Sequence, residues 1–184
     1  MMTRQMKWLY GILLGMSVIA AGGGIYYYQQ QQGPIYEFND QRDTQDITDL
    51  MKQNWYWLIN SNDYQVDFML KRRAPTHKNP RYFGALQIKV LRKEGQFIGF
   101  VTYYKKSAYE GTVLFLAVKS EFRGKRYAQL LLDYAVNDLK KRGADYVTLV
   151  TRPNNVNAQA VYVRDGFTEV GRDDTYVYYE KQLQ

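Results

Sequence analysis

Apolar residues follow different rhythms in different parts of this chain. From Trp8 to Tyr28 they are nearly continuous, and no charged residue occurs between Trp8 and Tyr36. That is about the length a helix needs to span a bilayer. Arg4 and Lys7 precede the stretch, and Trp8, Tyr10 and Tyr26 to Tyr28 stand at its ends, where interfacial aromatics belong. A basic start and small residues at Ala20 and Ala21 also fit a signal peptide. The pattern predicts a transmembrane helix over 8–28, behind a short basic N-terminus over 1–7 and before a Gln-rich linker over 29–34.

Beyond the linker the periods become those of a folded α/β domain over 35–184. Ile35 to Phe38 reads as a short strand, and Asp43 or Thr44 as the cap of a helix whose apolar face is Ile47, Leu50, Met51 and Leu58. A basic, Pro-bounded loop follows from Lys71 to Arg81. Residues 85–91 and 96–103 flank Glu94-Gly95 as an antiparallel hairpin. Val113 to Val118 is continuously apolar, as expected of a strand buried on both faces. Then Ala128, Leu131, Leu132, Ala135, Val136 and Leu139 form one stripe of an amphipathic helix, closed by Lys140 to Arg142 and Gly143. Tyr146 to Thr151 is the next strand, so this strand, helix, strand unit predicts a parallel pair. A helix from Asn155 to Asp165 and a hairpin, 168–171 with 175–179, complete the chain.

Composition narrows the chemistry. The chain has 184 residues and no cysteine, which excludes disulfides, thiolate nucleophiles and Cys-based zinc sites. Its one histidine, His77, lies between Pro75 and Pro80, where a surface loop is expected; no metal site is expected. Eighteen tyrosines favour a substantial sheet. The net charge of +7 suits an anionic ligand, an anionic membrane surface or a solvated surface, and no nucleic-acid recognition motif accompanies it.

The strongest chemical signal lies between the apolar strand and its helix: Arg123, Gly124, Lys125, Arg126, Tyr127 and Ala128. The first amides of a helix have no intrahelical partner and carry partial positive charge. A Gly-containing turn lets a diphosphate approach them. Here the chain resembles the GNAT superfamily of N-acetyltransferases, whose acetyl-CoA signature is Gln/Arg-x-x-Gly-x-Gly/Ala after a buried strand. Arg123 and Ala128 match, and Arg126 stands where Gly is usual. A second signature, Asn-x-x-Ala-x-x-x-Tyr-x-x-x-Gly-Phe, is matched by Asn155, Ala158, Tyr162, Gly166 and Phe167. The resemblance implies the GNAT fold: a mixed, mostly antiparallel sheet of about six to seven strands with about four flanking helices.

It also implies a function. Acetyl-CoA is the expected co-substrate and an amine of a peptide, protein or small molecule the expected acceptor, acetylated by direct attack in a ternary complex. Backbone groups at Leu116, Ala117 and Val118 are expected to pair with the pantetheine arm and polarise the thioester. Asn155 is expected to hold that arm or to cap its helix. Tyr162 matches the family's general acid; the competing role is packing the helix on the sheet. No general base is evident, and Glu110 reads as a hairpin charge more than a base. A non-catalytic, membrane-tethered module is the alternative that Arg126 raises. Cofactor supply favours a cytoplasmic-facing domain, against the positive-inside bias of Arg4 and Lys7.

Overall fold

A computed structural model describes residues 35–58, 65–71 and 84–183. The segment over 8–28, the linker, and the loop holding Arg72, Arg73, His77, Lys78 and Arg81 lie outside the described residues. Among the described residues no helix is long and apolar enough to cross a membrane.

The domain from Ile35 to Gln184 is built on one seven-stranded sheet in the order β1-β2-β3-β4-β5-β7-β6. The strands are β1 (Ile35–Glu37), β2 (Gln87–Lys93), β3 (Gln96–Lys105), β4 (Glu110–Val118), β5 (Tyr146–Thr151), β6 (Thr168–Arg172) and β7 (Val177–Gln182). Every neighbouring pair is antiparallel except β4 with β5. The helices are α1 (Asp40–Gln53), α2 (Trp55–Leu58), α3 (Val66–Lys71), α4 (Tyr127–Lys141) and α5 (Val156–Arg164).

The two faces of the sheet bury separate cores. On one, Leu131, Leu132, Ala135 and Leu139 of α4 pack on Ile98, Val101 and Tyr103 of β3. On the other, Ile47, Leu50 and Met51 of α1 pack on Ile88, Val90 and Phe100. Each such aliphatic side chain contributes about 1.5–3 kcal/mol when fully buried. The stripe read in the sequence for α4 is therefore its core face, except that Ala128 is only half-buried.

Three expectations shift. Helix α1 starts at Asp40, not after Asp43 or Thr44. Asn39 caps it, its Oδ1 accepting the Arg42 amide at 3.0 Å. Asp43 is withdrawn from capping because it is fully buried, held by Arg42 and by Arg92 of β2 at 2.8 Å each. Burial pushes the Asp43 carboxyl up, but hydrogen bonds from Arg42, the Asn39 amide and Arg92 outweigh it and hold the group below its ordinary value. The apolar face does not continue to Leu58 in one helix, because Asn54 ends α1. Its amide and its Nδ2 both donate to the Leu50 carbonyl. Finally, β4 is not buried on both faces throughout. Leu114 and Leu116 are half-buried between buried neighbours, because the sheet opens beside them.

Candidate active site

The opening arises where the single parallel pair stops. Strands β4 and β5 pair only at Glu110 with Tyr146, Gly111 with Val147 and Thr112 with Thr148. The closed end is pinned by the Thr112 and Thr148 hydroxyls, 3.0 Å apart, and by Thr148 donating to Glu110 at 2.9 Å. Beyond Thr112 the strands part, although β4 runs on to Val118 and β5 to Thr151. A cavity of about 690 Å³ occupies the gap, lined on one side by Leu114 to Val118 and on the other by Val150 and Thr151. This is within the range for small-molecule sites.

The loop after β4 closes one end of the cavity. A single 3-10 turn, Ser120–Phe122, leads to Arg123. Gly124 and Arg126 then take left-handed backbone angles, with φ of 78° and 62°. That geometry turns the chain into α4, whose first hydrogen bond runs from the Leu130 amide to the Arg126 carbonyl at 3.1 Å. The amides of Tyr127, Ala128 and Gln129 therefore have no intrahelical acceptor, and all three residues line the cavity. Arg126 departs from the family pattern in its side chain, but its backbone adopts the conformation that glycine favours.

The predicted binding residues divide by what their side chains do. Leu116, Ala117 and Val118 line the cavity. Arg123 lines it too, but its guanidinium is engaged within the protein. Nε donates to the Val118 carbonyl at 3.1 Å and Nη2 to Asn54 Oδ1 at 2.8 Å. Arg123 thus ties the loop to the end of β4 and to the end of α1. Lys125 is exposed, its ammonium 5.5 Å from the Phe122 ring centroid, and it does not line the cavity. The Tyr127 ring is buried, edge-on to Phe122, so only its main chain is available to a ligand. Ala128 is small enough to leave the helix start open.

Asn155 and Tyr162 approach from β5 and α5. Asn155 caps α5, its Oδ1 accepting the Ala158 amide at 3.4 Å and its Nδ2 donating to Thr151 Oγ1 at 3.2 Å. Tyr162 is buried on the cavity wall, 5.7 Å from the Tyr179 ring and 6.2 Å from Phe167, centroid to centroid. Its hydroxyl makes no hydrogen bond with a described residue. Burial, and then Tyr179, push its phenol up to about 12. The phenol is therefore neutral at physiological pH.

Sequence reading missed the far wall. Trp57, Arg152, Asn154 and Tyr176 line the cavity as well. The Arg152 guanidinium lies 4.5 Å from the Tyr56 ring centroid and its Nε donates to the Tyr56 carbonyl. Asn154 Nδ2 donates to the Tyr56 hydroxyl at 3.1 Å. These contacts link α2 to the loop after β5, over nearly a hundred residues of sequence, so no local pattern announces them. Glu110 sits at the closed end, bound to Lys106 and Thr148, and does not line the cavity. Of the basic loop, only Lys71 is described, and it pairs with Asp67 on α3 at 3.4 Å.

Comparison with known proteins places this geometry. The family model described as Acetyltransferase (GNAT) family matches residues 44–167. An uncharacterized N-acetyltransferase of Dictyostelium discoideum is 40% identical over 63 residues, 34% of this chain; the match spans 28% of that relative's length. Ard1 from Thermoplasma volcanium shares the fold, with a TM-score of 0.64 and 18% identity over 83% of this chain and 99% of its own. A Bacillus anthracis protein assigned as a streptothricin acetyltransferase, solved with acetyl coenzyme A, gives a TM-score of 0.51 and 21% identity over 55% of this chain and 66% of its own.

Proposed function

We propose, from the premise that this chain belongs to the acetyltransferase (GNAT) family, that it moves an acetyl group from acetyl-CoA to an amine. The parting of β4 from β5, beside a helix start with three unpartnered amides, carries the reading. The cavity between the strands has room for a pantetheine arm. The amides of Tyr127 to Gln129 suit a diphosphate, with Arg126 beside them. Arg123 holds this loop in place through Asn54 and Val118 rather than by meeting the phosphates itself.

Acetyl-CoA supplies an activated thioester carbonyl. The chain's part is to orient it, to meet the negative charge that develops on its oxygen with main-chain donors of β4, and to hold a proton at Tyr162 Oη. The neutral amine attacks the carbonyl carbon, the C–N bond forms and the C–S bond breaks. Tyr162 then gives its proton to the departing sulfur and recovers one from the acylated nitrogen through solvent. Water can take the acceptor's first proton, so no side-chain base is invoked.

Titration calorimetry of the full chain with acetyl-CoA tests the reading, followed by mass spectrometry of amines acetylated in its presence. Saturable binding and a new acetylated product are expected. No heat at millimolar acetyl-CoA overturns the proposal. For location, the uncharged stretch over 8–28 motivates a single-pass anchor with the domain on the cytoplasmic face. Protease digestion of the domain from outside intact cells refutes that placement.

A further inference from the structure

The parting of β4 from β5 has a visible local cause. Along β3 and β4 the antiparallel register is regular from Gly99 with Val118 to Thr102 with Phe115. The next pair is Tyr103 with Val113, so Leu114 is an extra residue with no partner of its own in β3. This is a β-bulge. The side chains report the same break. Val113 packs in the core under α4, Leu114 and Phe115 both turn to the core under α1, and Leu116 returns to the first. In a regular strand successive side chains alternate, so two neighbours on one face require a local turn of the backbone.

The bulge begins two residues after Thr112, the last residue of β4 to pair with β5. One side chain grips it. Thr102, fully buried in β3, accepts the Phe115 amide on its Oγ1 at 3.0 Å. A hydroxyl in the interior of a sheet carries a desolvation cost that an apolar neighbour would not. Here it accepts a main-chain donor of the bulged segment.

We propose that Thr102 is a positioning residue for the transfer reaction: its hydroxyl fixes the bulge that turns β4 away from β5 and aims the main chain around Leu114 to Leu116 at the thioester oxygen. The proposal rests on the acetyltransferase reading. Thr102 touches no substrate and does not line the cavity; it acts through the Phe115 amide. Valine at this site has nearly the same shape but removes the hydrogen bond from that amide to Oγ1. Serine restores the acceptor and loses only a methyl group.

The full chain is loaded with acetyl-CoA carrying ¹²C or ¹³C at the thioester carbonyl, and the isotope-difference infrared band of the bound carbonyl is compared with that of free acetyl-CoA. In the wild type the band is expected at lower wavenumber than in solution. Thr102→Ser is expected to keep the displacement and Thr102→Val to lose most of it. Acetyl-CoA affinity changes by less than about tenfold in both, because the diphosphate and pantetheine contacts remain. A change that merely loosened the fold would lower affinity and melting temperature without moving the band of the molecules still bound. If Thr102→Val does not fold, Thr102→Ala removes the hydroxyl without crowding and takes its place against the serine variant. A wild-type band in the hydroxyl-free variant, or no displacement in the wild type, overturns the role of Thr102 while leaving the acetyltransferase reading intact. Failure of the wild type to bind acetyl-CoA overturns both.

Discussion

Arg126 offers two opposed effects that one substitution separates. It is the N-cap of α4, at φ 62° and ψ 13°, and its side chain makes no capping hydrogen bond. A side chain bearing Cβ in the left-handed region costs about 1–2 kcal/mol. Glycine removes that strain but brings more freedom to the unfolded chain, a cost of about 0.5–1 kcal/mol. As an N-cap, glycine is only a few tenths of a kcal/mol worse than a polar cap, and Arg126 supplies no cap bond to lose. Arg126→Gly is therefore expected to stabilise the domain by about 0.5–1 kcal/mol, or about 1–4 °C in melting temperature. Arg126→Ala keeps Cβ and is expected to melt at or below the wild type. Binding should move the other way. The exposed guanidinium beside the helix start contributes about 0.5–1 kcal/mol to holding a diphosphate, so both variants should bind acetyl-CoA about two- to fivefold more weakly at low salt, less so at high salt. Thermal denaturation and calorimetric titration of the three proteins read both effects. A glycine variant that melts below the wild type, or no difference between glycine and alanine, refutes the strain argument.

The remaining expectations follow from single contacts. Tyr162→Phe should lower turnover about a hundredfold at unchanged acetyl-CoA affinity; turnover equal to wild type excludes Tyr162 as the proton donor. Because its phenol is pushed up to about 12, the stability Tyr162 contributes is complete below its ordinary value of 10 and is lost as pH rises from there to about 12, a loss the phenylalanine variant should not share. Asp43→Asn should cost about 1–3 kcal/mol in urea denaturation, since Arg42 and Arg92 both lose a fully buried carboxylate partner while Asp46 still holds Arg92. The carboxyl is held below its ordinary value, so its contribution is present above that value and lost as pH falls. Gly99→Ala should destabilise by about 2–3 kcal/mol, because an added Cβ would meet the Ala117 carbonyl oxygen at 2.3 Å, main chain against main chain; a variant as stable as wild type would show that β3 and β4 can separate there. Asp133 is pushed up to about 7 by burial and by sharing a hydrogen bond with Asp165. Its stabilisation is present below the ordinary Asp range and lost as pH rises to about 7, so Asp133→Asn should flatten the melting-temperature profile over that window.

What the sequence disclosed and what it hid divide along physical lines. Helix α4 was legible because its stripe faces one core for its whole length, and the β2-β3 hairpin because its turn residues, Glu94 and Gly95, both take positive φ. The start of α1 was misread because Asn39, Asp40, Asp43 and Thr44 all suit a cap. The choice among them is made by Arg92, 49 residues away, which draws Asp43 inward. Helix α3 has too few residues to display a period. Leu114 and Leu116 looked fully buried because an apolar side chain at the margin of a core, half open to a cavity, reads the same as one enclosed by a helix. The charge of Arg123 was legible, but its engagement with Asn54, 69 residues upstream, was not. The family motifs located the helix start, Asn155 and Tyr162; the wall made by Trp57, Arg152 and Tyr176 belongs to no motif, since it forms only when α2, the loop after β5 and the turn between β6 and β7 come together.

The gap itself shows why the site depends on location more than on residue type. Strand β5 pairs with β7 along its whole length, from Tyr146 with Gln182 to Thr151 with Val177. Strand β4 pairs with β3 from Lys105 with Gly111 to Gly99 with Val118, interrupted only at the bulge. Each strand is thus fully supported on its outer side, while three residue pairs join them on the inner side. Two well-paired half-sheets that meet at one end hold the space between them open. An open strand edge is a liability in most folds, since its amides and carbonyls invite another strand. Here the edge forms one wall of the cavity between the strands. The loop bound by Arg123 fixes the helix start at the end of that edge, so a diphosphate held there sets how far an extended arm reaches toward Tyr162. Under the proposed function Leu116, Ala117 and Val118 would offer that arm main chain alone, and their side chains pack in the two cores.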